Sequence, residues 1–318
     1  MSALIELERR LQDSLGETVI GMRELIRALT IATIARGHVL VQGAPGLGKT
    51  LLGKSLAAAF GGRFTRVQGT ADLMPTDITG VNIFDESTRQ FVLQQGPVFT
   101  EILLVDEINR TGPKTQSALL EAMAERQVTI DRVTHPLPAG FLVIATQNPH
   151  ELEGTYPLPE SQLDRFMMRI NVGYPGIEDE TLVLNRYGSM AAAGEQAPER
   201  RLPQAILTAG QLDAARQIVD RIHVSSEVNA YVVAIAKASR EHAHITLGLS
   251  TRGALALLRA ARVAAALRGS EFVTPDDVKE LAPWVISHRL TLSTEAALER
   301  RSDLALVRSI LEQVPVPR

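Results

Sequence analysis

Residues 43–50 read Gly43-Ala44-Pro45-Gly46-Leu47-Gly48-Lys49-Thr50 and restrict this chain more than any other stretch of it. They fit G-x-x-x-x-G-K-[ST], a loop whose glycines let the backbone curl until its N–H groups converge on phosphate oxygens. The loop stands between an apolar run over 38–42 and a helical run over 50–60, so the helix offers its positive N-terminus to the same anion. Lys49 then reaches the β- and γ-phosphates, and the Thr50 hydroxyl ligates Mg²⁺. Accident produces such a match in roughly one chain in a hundred of this length, and the strand–loop–helix setting makes accident rarer. Gly43, Ala44, Pro45, Gly46, Leu47, Gly48, Lys49 and Thr50, with the following Leu51, are therefore the expected contacts of a purine triphosphate.

Composition narrows the rest. The chain has 318 residues, 45% hydrophobic and 22% charged, enough for two domains with their own cores. A net charge of −3 and an aromatic content of 4% argue against a nucleic-acid partner, which usually needs a basic field and stacking platforms. With no cysteine there is no disulfide, thiolate metal site or cysteine nucleophile, as fits the cytosol. The N-terminus alternates charge with leucine too early for a signal-peptide core. No apolar run approaches the ~18 residues that span a bilayer. We expect a cytoplasmic protein without membrane insertion.

The chain changes character along its length. Up to about residue 174, short β-rich runs alternate with helical ones, the pattern of an α/β domain with a largely parallel sheet. The predicted strands are 38–42, 63–68, 101–107, 141–148 and 168–174. Four carry consecutive apolar residues, as strands buried on both faces do. Two β-like pairs break the rhythm, 81–84 with 90–93 and 127–131 with 133–137, and read as hairpins inserted into the domain. Beyond a Gly/Pro/Ala-rich stretch, 173–203, the pattern predicts helices over 211–222, 226–243, 251–268 and 275–281, with no strand signal. Thr274-Pro275-Asp276-Asp277 is a helix start with capping threonine, first-turn proline and acids facing the dipole. The split is expected near residue 180, giving units 1–180 and 181–318, and the alanine-rich 254–266 run predicts close helix packing.

A second signal is the apolar run Ile102-Leu103-Leu104-Val105 ending in Asp106-Glu107. A buried strand would deliver Asp106 to the Mg²⁺ shell and set Glu107 to polarise the water that attacks the γ-phosphate. Many strands end in solvated acids, so the run gains its meaning from the phosphate loop that precedes it.

Together these residues resemble the AAA+ ATPases, and more narrowly the MoxR family, over essentially the whole chain. The resemblance rests on Gly37-His38-Val39-Leu40 leading into the phosphate loop, on Leu104-Val105-Asp106-Glu107-Ile108-Asn109-Arg110, and on 114–123. It continues through Phe141-Leu142-Val143-Ile144-Ala145-Thr146-Gln147-Asn148-Pro149 and Gln162-Leu163-Asp164-Arg165-Phe166. It implies an α/β P-loop AAA+ core with a parallel five-stranded sheet and inserted hairpins, followed by a smaller all-α lid. It also assigns roles. Asn148 matches sensor 1, which helps hold the attacking water; by residue type alone it reads as a turn cap before Pro149. Arg165 matches the arginine finger that completes a neighbouring subunit's site, with Arg169 as its competitor. Arg252 matches sensor 2, closing on the γ-phosphate from the lid. Ser250 reads as an N-cap, so Arg252 falls in the first helical turn, where a cation is locally unfavourable and asks for an anion. Val19-Ile20-Gly21 matches the adenine-side contact, with Ile20 as its apolar member. The two hairpins match family inserts that face a pore or a substrate, or that build the subunit interface.

What the resemblance implies for function is ATP hydrolysis in a ring, with six subunits the expected number. It further implies chaperone-like remodelling or maturation of clients beside a partner with a von Willebrand factor A domain. A nucleic-acid motor or loader, and an ATP-gated subunit of a chelatase-like complex, are the competing classes. His242 and His244 have the form of a metal pair but no acid cluster beside them. Met167-Met168 and Trp284 read as packing.

Overall fold

The structure, a computed structural model, describes residues 2–44, 46–148, 153–188 and 202–317. Helices α1 (Ser2–Thr18) and α2 (Arg23–Ile34) precede β1 (Val39–Gly43), α3 (Lys49–Ala59) and β2 (Phe64–Gln68). A short α4 (Pro75–Thr79) leads into the hairpin β3 (Gly80–Asp85) and β4 (Gln90–Gln95), then β5 (Ile102–Asp106) and α5 (Pro113–Glu125). The hairpin β6 (Gln127–Ile130) and β7 (Val133–Pro136) precedes β8 (Leu142–Gln147), α6 (Glu160–Leu163), β9 (Met168–Val172) and α7 (Ile177–Tyr187). The remainder comprises α8 (Ala209–Asp220), α9 (Ser226–Glu241), β10 (Ile245–Leu247), α10 (Thr251–Leu267), α11 (Pro275–Ile286), β11 (Thr291–Leu292), α12 (Thr294–Leu298) and α13 (Asp303–Gln313).

The central sheet has five strands in the order β2-β5-β8-β1-β9, all parallel. Each strand lies within one residue of its predicted range, apart from the end of β9, which stops two residues short. Strands β1, β5 and β8 hold the middle, and their apolar residues are buried on both faces, which is why they read as continuous runs. The pleat divides them. Val39, Val41, Ile102, Leu104, Leu142 and Ile144 face α1, α2, α3 and the helices of the C-terminal half. Leu40, Leu103, Val105, Val143 and Ala145 face Leu119, Leu120 and Met123 of α5 and Val128 and Ile130 of β6. Strand β2 is at an edge and turns Phe64, Arg66 and Gln68 one way and Thr65 and Val67 the other. Both predicted hairpins form as separate two-stranded antiparallel ladders outside the sheet.

Two caps read from sequence are present: Ser250 Oγ accepts from Gly253 N–H at 3.0 Å, and Thr274 shares a capping box with Asp277; the structure adds Ser225, whose Oγ accepts from Val228 N–H. The alanine-rich stretch is α10, whose Ala260, Ala261, Ala264, Ala265 and Ala266 are fully buried as small side chains bring it close to α11. One feature differs from the uniformly helical expectation. β10 and β11 pair antiparallel inside the helical half, Ile245 opposite Leu292, and segments of three and two residues are too short to show a strand period. Helix α7 runs through residue 180, and Tyr187 and Arg186 donate to the Thr18 and Glu17 carbonyls at the end of α1. Part of the Gly/Pro/Ala-rich stretch, 189–201, lies outside the described residues.

Candidate nucleotide site and arginine cleft

The phosphate loop begins where β1 ends. A Cβ on Gly43 would lie 2.3 Å from the Val172 carbonyl oxygen, so the tight β1–β9 pairing forbids a side chain there. Gly46 and Gly48 have φ of +82° and +84° with open space around them, so backbone conformation rather than room selects glycine. Gly48 is the left-handed N-cap of α3, whose first turn carries Lys49 and Thr50. The Lys49 Nζ donates to the Gly43 carbonyl at 2.8 Å. Burial pushes the Lys49 ammonium below its usual range, and Asp106 and Glu107 oppose that shift. Pro45 of this loop lies outside the described residues.

Parallel pairing brings the C-terminal ends of β1, β2, β5 and β8 to one edge, where a cleft of about 270 Å³ opens. Gly43, Gly46, Leu47, Gly48, Lys49, Thr50 and Leu51 line one wall, and Asp106, Glu107, Thr146 and Asn148 the other, with Arg66 and Gln68 at the side. Asp106 accepts from Arg66 Nε at 2.6 Å and from Thr146 Oγ1 at 3.2 Å. That threonine hydroxyl accepts the Glu107 N–H at 2.9 Å, tying the two acids to β8. Glu107 has φ of +55°, a strained conformation for a non-glycine residue that costs on the order of 1 kcal/mol. The kink aims its carboxylate toward Gln68 Nε2 at 2.9 Å and Arg110 at 3.2 Å. Gly69 makes the kink possible, since a Cβ there would lie 2.3 Å from the Glu107 carbonyl oxygen.

Lys49, Thr50, Asp106, Glu107 and Asn148 are thus brought together as the motifs require. Arg66 and Gln68 are additions that the motif reading missed. Their signal was positional: two polar residues two apart on an edge strand, opposite Leu104 and Asp106 in the ladder. Asp106 and Thr50 fit Mg²⁺, because each offers a hard oxygen and a nucleotide's phosphates supply the rest. Among the described residues no group of three or more His, Cys, Asp or Glu forms a metal cluster, His242 and His244 included.

Arg252 is not in this cleft, which corrects the expectation that it closes on its own subunit's γ-phosphate. It lines a second cleft, of about 870 Å³, with Arg165. That cleft borders Arg36-Gly37-His38 before β1 and Asp164, Arg165 and Met167 before β9, at the N-terminal ends of the strands. A five-residue strand spans roughly 16 Å, more than an arginine side chain reaches. The physical reason is the seat of the lid. Arg216 of α8 donates to the Thr33 and Ile34 carbonyls at the end of α2, and Arg289 to the Asp164 and Phe166 carbonyls, anchoring the helical half at that far edge.

The second cleft is rich in cations: Arg36, Arg126, Arg165, Arg216, Arg252, Arg259, Arg262 and Arg289 against Glu125, Asp164 and Asp220. Burial, with Arg216 and Arg36 nearby, pushes the Arg126 guanidinium down to about 10. Such crowding suits an anion. Arg165 is exposed there and donates to the Leu120 carbonyl at 2.7 Å. Its competitor Arg169 is mostly buried and paired with Asp303. Ile20 lines neither the phosphate cleft nor the arginine cleft, but a neighbouring cavity with Val19, Gly21 and Trp284. Gly21 borders another cavity with Val172, Gly173 and Tyr174, beside the start of the phosphate loop.

A P-loop on a five-stranded parallel sheet, followed by a helical unit, defines an ATPase of the AAA class. The family described as "ATPase family associated with various cellular activities (AAA)" matches residues 38–168, and the AAA lid domain matches 237–310. Among proteins, Chaperone MoxR1 of Mycobacterium tuberculosis is 39% identical over 94% of this chain and 80% of its own. Protein MoxR of Methylorubrum extorquens is 33% identical over 97% and 94%. A crystal structure of a candidate ATPase from Cytophaga hutchinsonii superposes with a TM-score of 0.91 at 37% identity, covering 99% of this chain and 96% of that one. The chain belongs to the MoxR family of AAA+ ATPases.

Proposed function

We propose that this protein hydrolyses ATP with Mg²⁺ at a site shared between two subunits of a ring, and uses the cycle for chaperone-like work on client proteins. The observation that carries the shared site is the separation of its halves. Phosphate-binding and water-activating residues stand at one end of the sheet, and Arg165 and Arg252 line the cleft at the other. Copies arranged head to tail around a ring would set one subunit's arginine cleft against the next subunit's phosphate loop.

In this reading the loop amides and Lys49 hold the β- and γ-phosphates, and Ile20 and Gly21 border the base. Thr50 and Asp106 would hold Mg²⁺, which would supply positive charge to offset the charge that develops on the phosphates. Glu107 orients the attacking water and takes up its proton, with Asn148 on the other side. Arg66 leaves Asp106, and Gln68 leaves Glu107, when the nucleotide arrives. Arg165 and Arg252 of the neighbour stabilise charge on the transferring phosphoryl group, where a finger is worth ~10³ or more in rate.

The ring, with six subunits expected, matches the head-to-tail geometry. A chaperone-like role on clients is supported by the name of the Mycobacterium relative. A partner with a von Willebrand factor A domain and a cytoplasmic location belong to the same proposal. Among the described residues no helix is long and apolar enough to cross a membrane. We keep the division into a core, 1–180, and a lid, 181–318, as part of this reading. The test mixes two inactive variants, Arg165→Ala and Glu107→Gln. A shared site predicts recovered turnover, because one interface then pairs an intact Glu107 with an intact Arg165. No recovery from the mixture would remove the shared site.

A further inference from the structure

Arg165 and Arg252 come from different halves of the chain, one before β9 and the other in the first turn of α10. A single side chain ties them. Arg289, in the turn after α11, is almost wholly buried, and its Nε donates to Asp164 Oδ1 at 2.7 Å. Its terminal nitrogens donate to the carbonyls of Asp164 at 3.1 Å, Phe166 at 2.6 Å and Met167 at 3.1 Å, so it grips the backbone on both sides of Arg165. The other oxygen of Asp164 accepts from Ser250 Oγ at 3.1 Å, and Ser250 caps the helix that carries Arg252. His288, held neutral by burial, donates through Nε2 to the Phe166 carbonyl at 3.0 Å. Next to Arg252, a Cβ on Gly253 would lie 2.4 Å from Leu249 Cδ1 and 2.8 Å from Arg289 Cδ, so the helix lacks a side chain where these two pass.

We propose that Arg289 is a positioning residue that fixes Arg165 and Arg252 as one rigid pair, so that lid and finger move together on the neighbour's nucleotide. The inference rests on the shared-site reading above. A buried guanidinium satisfied by one carboxylate and three carbonyls near the finger holds more rigidly than a surface pair would. Its contacts lie at the far end of the sheet from Lys49, so it leaves its own subunit's nucleotide binding alone.

Mixed-subunit turnover with Arg289→Lys tests this. Lysine keeps the charge but loses the planar fork that reaches the Asp164 carboxylate and several carbonyls at once. Alone, Arg289→Lys should lose kcat on the order of tenfold to a hundredfold, with KM for ATP unchanged. Mixed with Glu107→Gln it should recover, because the Glu107→Gln subunits donate a correctly held pair. The double variant Arg289→Lys/Glu107→Gln, mixed with Arg165→Ala, should stay low, because the only intact Glu107 then faces a loosened pair. The inference is overturned if Arg289→Lys fails to recover beside Glu107→Gln, or if the double variant rescues Arg165→Ala as well as Glu107→Gln does. Failure of Glu107→Gln itself to rescue Arg165→Ala would instead show that the shared site is wrong, and the inference falls with it. If Arg289→Lys does not assemble, Gly253→Ala, which pushes on Arg289 as well as on Leu249, enters the same mixtures with the same expected pattern.

Discussion

His38 should make the stability of this protein fall as pH drops below 6.5, and replacing it should remove that slope. The ring is fully buried ahead of β1: Nδ1 accepts the Val143 N–H at 2.9 Å and Nε2 donates to the Met123 carbonyl at 3.1 Å. It therefore ties β1, β8 and the end of α5 in its neutral form. Burial, and then the nearby Arg126 cation, lower its pKa from 6.5 to about 3. The unfolded chain binds a proton below 6.5 that the folded chain refuses, so stability is full above 6.5 and is lost as pH falls toward 3. Each pH unit in that window costs about 1.4 kcal/mol, and between pH 7.5 and 5.5 the loss from this group is about 1.4 kcal/mol. The assay is urea unfolding at both values for the native protein and His38→Gln. The glutamine should cost about 1–3 kcal/mol at pH 7.5, from one lost buried hydrogen bond and imperfect packing. Its deficit should shrink by about 1.4 kcal/mol at pH 5.5. His288, also pushed down, is present in both proteins and cancels. A deficit that stays constant with pH would refute the argument.

Three other outcomes follow from the same geometry. Arg252→Ala mixed with Glu107→Gln should recover turnover; no recovery, with Arg165→Ala still rescued, would return Arg252 to its own subunit's site. Arg66→Ala should lower the Mg²⁺ concentration that half-saturates turnover, because Asp106 loses the cation now paired with it at 2.6 Å; a higher requirement would mean that Arg66 helps hold the bound phosphates instead. Arg216→Met should destabilise the fold by about 3 kcal/mol in thermal or urea unfolding, since it strips four donors' worth of contact from the α2 carbonyls, Ala139 and Asp213. A loss within about 0.5 kcal/mol would show that the α8 seat does not depend on it.

The phosphate loop, the acid pair and Asn148 were legible because each is a local string whose chemistry depends on spacing along the chain. The sheet was legible because β1, β5 and β8, buried on both faces, are short continuous apolar runs that alternate with helical segments. Arg66 and Gln68 were not, because their meaning lies in lateral pairing with β5, which no local pattern encodes. The placement of Arg252 failed for a related reason. Its N-terminal position on α10 was read correctly from Ser250, but which edge of the sheet the lid sits on is decided by Arg216 and Arg289, more than thirty residues away on either side. The β10–β11 ladder was invisible because five residues carry too little pattern.

The most direct measurement is an electron cryo-microscopy structure of the Glu107→Gln protein assembled with ATP and Mg²⁺. The account predicts a closed ring in which Arg165 and Arg252 of each subunit reach the γ-phosphate held by Lys49 and Thr50 of the next. A nucleotide bound with neither arginine of a neighbour beside it, or with Arg252 folded onto its own subunit's phosphates, would contradict it.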